Sequence, residues 1–321
     1  MPGVDPEFFK WLSSLDCSQV KVFALVEGTT CFPRIPLLRV EGPLAVCQLL
    51  ETPLLNLVNF ATLVATQAAR LKIAAGPGKG LLEFGTRRAQ GPDGAISASR
   101  YSYVGGFDGT SNVLAGKLFN ILPKGTHAHS YIMSYSGLAE LKPEGRTIAD
   151  SSKDGSKAPV DLVELVFKKG KEMEQKTGIK IGNEGEIAAF VAYARSYPSM
   201  FLALVDSYDT LRSGVPNFLA VALALEELGY KPVGIRLDSG DLAYLSKEAR
   251  RMFKVVADAM GFPAFADLSI VASNDINEKT LESLNQQGHE INTFGIGTHL
   301  VTCQKQPALG CERSCDSLWQ I

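Results

Sequence analysis

An α/β fold built on a parallel sheet covered on both faces, open or closed into a barrel, is predicted by three features of the sequence. From the break Gly76-Pro77-Gly78-Lys79-Gly80 onward, apolar runs of strand length alternate with helical stretches, which is a βα period. The runs are continuously apolar rather than alternating, as strands buried on both faces must be. Each run also exits into a polar or glycine-bearing turn, the end at which ligands gather in such sheets.

The elements follow in order. Residues 6–12 read as a short helix, and 20–26 and 37–40 as β-rich pieces separated by Glu27-Gly28-Thr29-Thr30. Residues 1–41 therefore form a small strand-rich unit. Residues 42–75 are apolar nearly all round and lack glycine after the first position, which predicts a long buried connecting helix, interrupted near Pro53 and packed between two layers. The βα region spans 76–309. Its clearest units are the strand at 201–207 and a helix with Pro216 in its first turn and Gly229 just past its end, the preferred places for both residues. Next come 233–239 with a helix ended by Gly261, 268–273 with a short polar helix, and 291–297. Residues 137–178 are rich in Lys, Glu and Ser and weakly periodic, so they read as an insertion of surface loop and solvated helix.

With 321 residues, 45% hydrophobic and 21% charged, the chain can form one large or two ordinary domains. Its 32 basic and 34 acidic residues leave a net charge of −2, so no nucleic-acid partner is expected and any anion is caught locally. Unbroken apolar runs such as 201–205 and 219–225 are far shorter than the roughly 20 residues of a membrane span, so no membrane partner is expected. Asp5 and Glu7 stand where a signal peptide is basic and then apolar, and the six cysteines are scattered. A cytosolic protein is expected. His299, Cys303, Cys311 and Cys315 nominally offer four zinc ligands, but they lack the paired C-x-x-C spacing of zinc sites.

The strand ends carry Phe84-Gly85-Thr86-Arg87-Arg88, Thr126-His127-Ala128-His129-Ser130, Asp206-Ser207-Tyr208-Asp209, Arg236-Leu237-Asp238-Ser239-Gly240-Asp241, Ser273-Asn274-Asp275 and Gly295-Ile296-Gly297-Thr298. Guanidinium groups and backbone N–H groups both donate to oxyanions, so this set suits phosphates, with carboxylates left for a divalent metal or sugar hydroxyls. Gly295-x-Gly297-Thr298 lacks the lysine and spacing of a P-loop, and two glycines after a strand more often make a tight turn than a phosphate cradle. The repeated D-S-x-D at 206–209 and 238–241 serves either ligand binding or helix starts at Asp209 and Asp241. His127 and His129, two apart, share one face if the run is extended, and so face a common site. Arg236 lies in a strand expected to be buried, where a guanidinium requires an anionic partner: Asp238, or a ligand carboxylate or phosphate.

These residues carry a resemblance. RRAQGPDG (87–94), SNVLAG (111–116), THAHS (126–130), RSGVPNFLAVALALEELGY (212–230), RLDSGD (236–241) and GIGT (295–298) together resemble the type II phosphoribosyltransferases, and within them the nicotinate phosphoribosyltransferases, over about 5–309. The resemblance implies an α/β fold in which an atypical (β/α) barrel at 76–309 accompanies an incomplete second, strand-rich α/β domain. It implies ATP-coupled transfer of phosphoribosyl from 5-phosphoribosyl 1-diphosphate (PRPP) to nicotinate, giving nicotinate mononucleotide in NAD salvage, with Mg²⁺ or Mn²⁺ and ATP as co-substrate. It also implies a homodimer.

By the same resemblance, His129 is the residue phosphorylated by ATP. Thr126, Arg236, Asn112 and Phe84 bind nicotinate, and Arg87, Gly295, Gly297, Thr298, Ser273 and Asn274 bind PRPP. Asp238 acts in catalysis and, with Asp241, at the metal. Nicotinamide-specific relatives place an aspartate where Asn112 stands, and an aspartate repels a carboxylate, so the acid is the expected substrate. Relatives extend further at both ends, so the chain reads as a truncated form with a divergent tail at 310–321 and exposed apolar surface around Phe8, Phe9 and Trp11. The alternative is a catalytically silent form that binds ligand or a full-length subunit. A barrel lyase or aldolase is disfavoured because no lysine ends a recognisable strand.

Overall fold

The computed structural model describes residues 3–152 and 159–310. Helix α1 (Pro6–Ser14), strands β1 (Lys21–Ala24) and β2 (Leu38–Glu41), and the long helix α2 (Leu44–Ala75) open the chain. Then come β3 (Gly80–Glu83), α3 (Gly91–Val104), β4 (Gly109–Thr110), α4 (Val113–Phe119), α5 (His129–Met133), α6 (Pro143–Arg146), β5 (Thr147–Ile148), β6 (Val160–Asp161), α7 (Leu162–Thr177) and α8 (Glu184–Ser196). The final units are β7 (Leu202–Leu204), α9 (Val215–Glu227), β8 (Gly234–Leu237), α10 (Leu242–Met260), β9 (Ser269–Ala272), α11 (Glu278–Gln287), β10 (Thr293–Ile296) and α12 (Thr298–Thr302).

Six parallel strands lie in the order β4-β3-β10-β9-β8-β7 and curl into half a barrel. The first strand of the βα region, β3, lies beside the last, β10, as in a barrel that closes on itself. The ring is interrupted between β4 and β7, so the expected barrel is a half-barrel among the described residues. The chain partly fills this gap. Thr110 N–H donates to Leu122 O at 3.2 Å and Lys124 N–H to Thr110 O at 2.9 Å, so residues 122–124 run along β4 as a short parallel splice.

The late units form where their sequence placed them. In α9 every residue from Val215 to Leu225 is buried, as a helix apolar on all sides must be. Helix α10 starts on Asp241, whose side chain accepts from Tyr244 N, and ends on Gly261 at φ 77°, a left-handed position that glycine occupies without a Cβ penalty.

Two expectations about helices are corrected. Helix α2 runs unbroken for 32 residues with Pro53 inside it. The lost hydrogen bond falls on an exposed stretch, where water can serve the freed carbonyl. Nor is α2 buried throughout: apart from Val46 its buried residues lie between Leu63 and Ala75, against α3 and α11, while Leu44, Leu49 and Leu57 stay exposed. By length and composition α2 could also cross a bilayer. Counting unbroken apolar runs missed this, because Gln48 or Asn56 breaks a run without breaking a helix. Helix α7 is likewise not a solvated insertion. Leu162, Val163, Leu165, Val166 and Met173 are buried on the face it turns to α9 and α10.

The N-terminal β1 and β2 form a separate antiparallel pair, and Phe8, Phe9 and Trp11 of α1 are exposed. Residues 311–321, with Cys311 and Cys315 and most of the tail expected to diverge, lie outside the described residues.

Candidate active site

The site begins with Arg236. In β8 the neighbouring Ile235 and Leu237 are fully buried, which sends the intervening side chain to the opposite face of the sheet. Its Nε donates to Ser273 Oγ at 2.8 Å, Nη1 to Thr126 Oγ1 at 3.0 Å and Nη2 to Asp238 Oδ1 at 3.3 Å. Ser273 Oγ also donates to Asp238 Oδ1. The guanidinium carbon lies 5.1 Å from the Phe84 ring centroid, within cation–π range. A guanidinium has five N–H donors, so this fixed group keeps N–H to offer a ligand.

Gly295 makes room for Phe84. A Cβ on Gly295 would stand 2.3 Å from the ring, and one on Gly297 3.0 Å from Phe84 O. The first glycine of the G-x-G turn thus has a packing duty, and Gly297 and Thr298 lie past it at the half-buried start of α12.

Asp206, given no role of its own in the sequence beyond opening a D-S-x-D turn, is central to the network. Its side chain is 1% exposed, and Oδ1 stands 3.1 Å from His129 Nε2. Oδ2 accepts from Asp238 N at 3.0 Å and from Ser239 Oγ at 2.5 Å. One carboxylate therefore joins the ends of β7 and β8 to the start of α5. The repeated D-S-x-D held the clue, and the structure divides it. The first aspartate of each copy joins this network, while the last caps a helical turn: Asp209 Oδ1 accepts from Leu211 N and Arg212 N, and Asp241 Oδ1 from Tyr244 N.

The two histidines do not share a face, because the chain turns into α5 at His129 instead of staying extended. His129 reaches Asp206. His127 turns among Tyr131, Phe190 and Tyr193 and accepts from Leu204 N through Nε2. Burial, followed by the charge of Arg236, pushes its pKa down to about 4.

Asn112, 8% exposed, caps α4 by accepting from Ala115 N, and Arg87 is exposed on the turn Thr86–Arg88. Asn274 and Asp275 follow Ser273 with φ of 96° and 48°, a backbone state uncommon outside glycine. Of the nominal zinc set, His299 bonds Glu278, and burial pushes the Cys303 thiol up to about 11. No group of three or more His, Cys, Asp or Glu placed to hold a metal occurs among the described residues.

Glu186, the buried first-turn residue of α8, escaped sequence reasoning. Burial pushes its carboxyl up to about 7 against hydrogen bonds from Ser213 and Asn217, and nearby Asp206 and Asp209 add to the rise. Above its ordinary value of 4.5, the folded chain keeps a proton that the unfolded chain has lost. This contribution to stability is complete below about pH 4.5 and is lost as pH rises through 7. Glu186→Gln is therefore expected to gain about 3 kcal/mol relative to the parent between pH 4.5 and 7.5, read by urea unfolding. A difference that stays constant with pH would refute the buried proton.

Fold and site together define an α/β half-barrel protein with a fixed guanidinium and a carboxylate network at the carboxyl ends of its strands. The family model described as the nicotinate phosphoribosyltransferase N-terminal domain matches residues 1–59, and that of the nicotinate phosphoribosyltransferase family matches 223–318. Nicotinate phosphoribosyltransferase 1 of Arabidopsis thaliana is 55% identical over 97% of this chain and 56% of its own length. The Dictyostelium discoideum nicotinate phosphoribosyltransferase is 58% identical over 97% of this chain and 51% of its own. The crystal structure of human nicotinic acid phosphoribosyltransferase superposes with a TM-score of 0.83 at 51% identity, covering 92% of this chain and 59% of that one. The chain belongs to the nicotinate phosphoribosyltransferase family, and it spans little more than half the length of these curated relatives.

Proposed function

We propose that the chain carries the ATP-coupled transfer of phosphoribosyl from PRPP to nicotinate, giving nicotinate mononucleotide and diphosphate in NAD salvage. The observation that carries this reading is Arg236, held on three sides by Thr126, Ser273 and Asp238 and backed by Phe84. A guanidinium fixed in orientation with N–H groups left over suits a planar carboxylate such as that of nicotinate.

In the reaction the pyridine nitrogen bonds to C1′ as the C1′–O bond to diphosphate breaks, through an oxocarbenium-like transition state. The protein must align the nucleophile and hold the departing charge. Arg87, Asn274, Gly297 and Thr298 are assigned to PRPP. A Mg²⁺ ion carried on diphosphate oxygens takes only one or two carboxylates from the protein. Asp238 and Asp241 are the residues that would hold it; one oxygen of each is already bonded, Asp238 Oδ1 by Arg236 and Ser273 and Asp241 Oδ1 by its cap. When bound, the ion neutralises charge on the leaving diphosphate.

His129 is the phosphoryl acceptor in this reading. A carboxylate can only accept, so the Asp206 contact places the proton on Nε2 and leaves Nδ1 as the nucleophile. Phosphorylation would add charge and acceptor oxygens beside the metal and tighten the hold on PRPP. The setting proposed is a cytosolic homodimer in which α1, β1 and β2 belong to a strand-rich second domain.

The test is nicotinate mononucleotide formation from nicotinate, PRPP and Mg²⁺, with and without ATP. His129→Ala should abolish the ATP stimulation and leave slow ATP-independent transfer, whereas undiminished stimulation would sink the assignment. Calorimetric titration with nicotinate identifies a chain that binds without turnover.

A further inference from the structure

We infer that His127 is a positioning residue: its imidazole closes the barrel seam between the 122–129 segment and β7, and thereby sets His129 against Asp206.

The backbone of β7 shows why an acceptor is needed there. Val205 N donates to Arg236 O at 3.1 Å and Val233 N to Phe201 O at 2.9 Å, so odd-numbered residues bond across to β8. The N–H of Leu204 then points to the opposite edge, where the ring of strands is interrupted. Leu204 is 1% exposed, and a buried edge N–H without a partner is costly. His127 Nε2 accepts it at 3.3 Å.

The imidazole is itself anchored. Tyr193 meets it edge to face with centroids 4.7 Å apart, Tyr131 stands at 5.5 Å, and the fully buried Phe190 at 6.1 Å. Because Nε2 accepts, a neutral ring carries its proton on Nδ1, which is buried without a hydrogen-bond partner among the aromatic rings, and burial keeps the ring neutral at physiological pH. On the other side of the seam, 122–124 is tied to β4 by backbone bonds. His127 is therefore the side-chain rung that completes the ring.

Its place in the chain links this rung to the chemistry. Thr126, one residue before, accepts from Arg236, and His129, two residues after, meets Asp206. Leu204 is the last residue of β7, two residues before Asp206. One bond thus sets the spacing of two segments whose next contact is the His129–Asp206 pair at 3.1 Å. A displacement of about 1 Å between reacting groups is enough to cost orders of magnitude in rate.

The activity arm of the test rests on the proposed phosphoribosyl transfer, and the spectroscopic arm does not. His127→Leu keeps an apolar ring substitute but no acceptor, whereas His127→Gln keeps an acceptor oxygen. The Leu variant should lower the ATP-stimulated kcat about tenfold or more with the nicotinate KM changed less than about twofold, since Ser273 and Asp238 still hold Arg236. Gln should restore most of the rate. In ¹⁵N spectra of the full chain, His127 should be the Nδ1–H tautomer with its Nε2 coupled to the Leu204 amide. The His129 ring signals should shift in the Leu variant and return toward the parent in the Gln variant.

The inference is overturned if the Leu variant matches the parent in both readouts, if Gln is as impaired as Leu, or if His127 Nε2 carries the proton in the parent. Should the Leu variant not fold, the parent spectra decide. Should the parent show no transfer, the proposed reaction fails, and the His129 signals of the variants still decide the role of His127.

Discussion

Arg236→Lys is expected to lower kcat/KM for nicotinate by about 10²- to 10³-fold while leaving the fold intact. Lysine keeps the positive charge, so the substitution isolates the geometry of the guanidinium. Three acceptors surround that group, Thr126 Oγ1, Ser273 Oγ and Asp238 Oδ1, within 2.8 to 3.3 Å. An ammonium is a compact point charge that cannot meet all three and a ligand carboxylate as well. Each lost charge-assisted bond is worth about 1.5–3 kcal/mol, and two of them account for the expected factor at about 1.4 kcal/mol per tenfold. Steady-state kinetics at saturating PRPP, with the melting temperature as control, measure the effect. A loss of less than about tenfold would mean that charge alone suffices and that the fixed fork is not what recognises the substrate.

Gly234→Ala is expected to cost more than about 3 kcal/mol of stability, because the obstacle is backbone and cannot rotate away. A Cβ on Gly234 would stand 1.9 Å from Ser269 O and 2.7 Å from Ser269 C, and the residue sits at φ 155°. Strands β8 and β9 pair directly here, Gly234 opposite Ser269 and Arg236 opposite Val271. Relief of the clash must part these strands two residues before Arg236. Nicotinate binding should therefore fall along with the unfolding midpoint. A destabilisation below about 1 kcal/mol would refute the close approach of the two strands.

How much was legible in the sequence depended on whether the signal was local. The late βα units were readable because continuous apolar runs, Pro216 in a first turn and Gly261 past a last one act over a few residues. Arg236 was readable for a related reason: a guanidinium inside an apolar strand must find a partner wherever the strand goes. Helices α2 and α7 were misread because their cues were averages. Polar residues scattered through α2 and Lys-rich turns in α7 hid one continuous helix and one buried face.

The sequence by itself determined a parallel α/β sheet and gathered the polar residues at the carboxyl ends of its strands. Tertiary structure alone decided their division of labour. It sent His127 to the seam and His129 to the site, gave Asp206 and Asp238 to the network while Asp209 and Asp241 cap helical turns, and turned Gly295 into the space that Phe84 occupies. The physical reason is distance along the chain. His129 meets Asp206 across 77 residues and Arg236 meets Thr126 across 110, separations over which periodicity and capping rules carry no information.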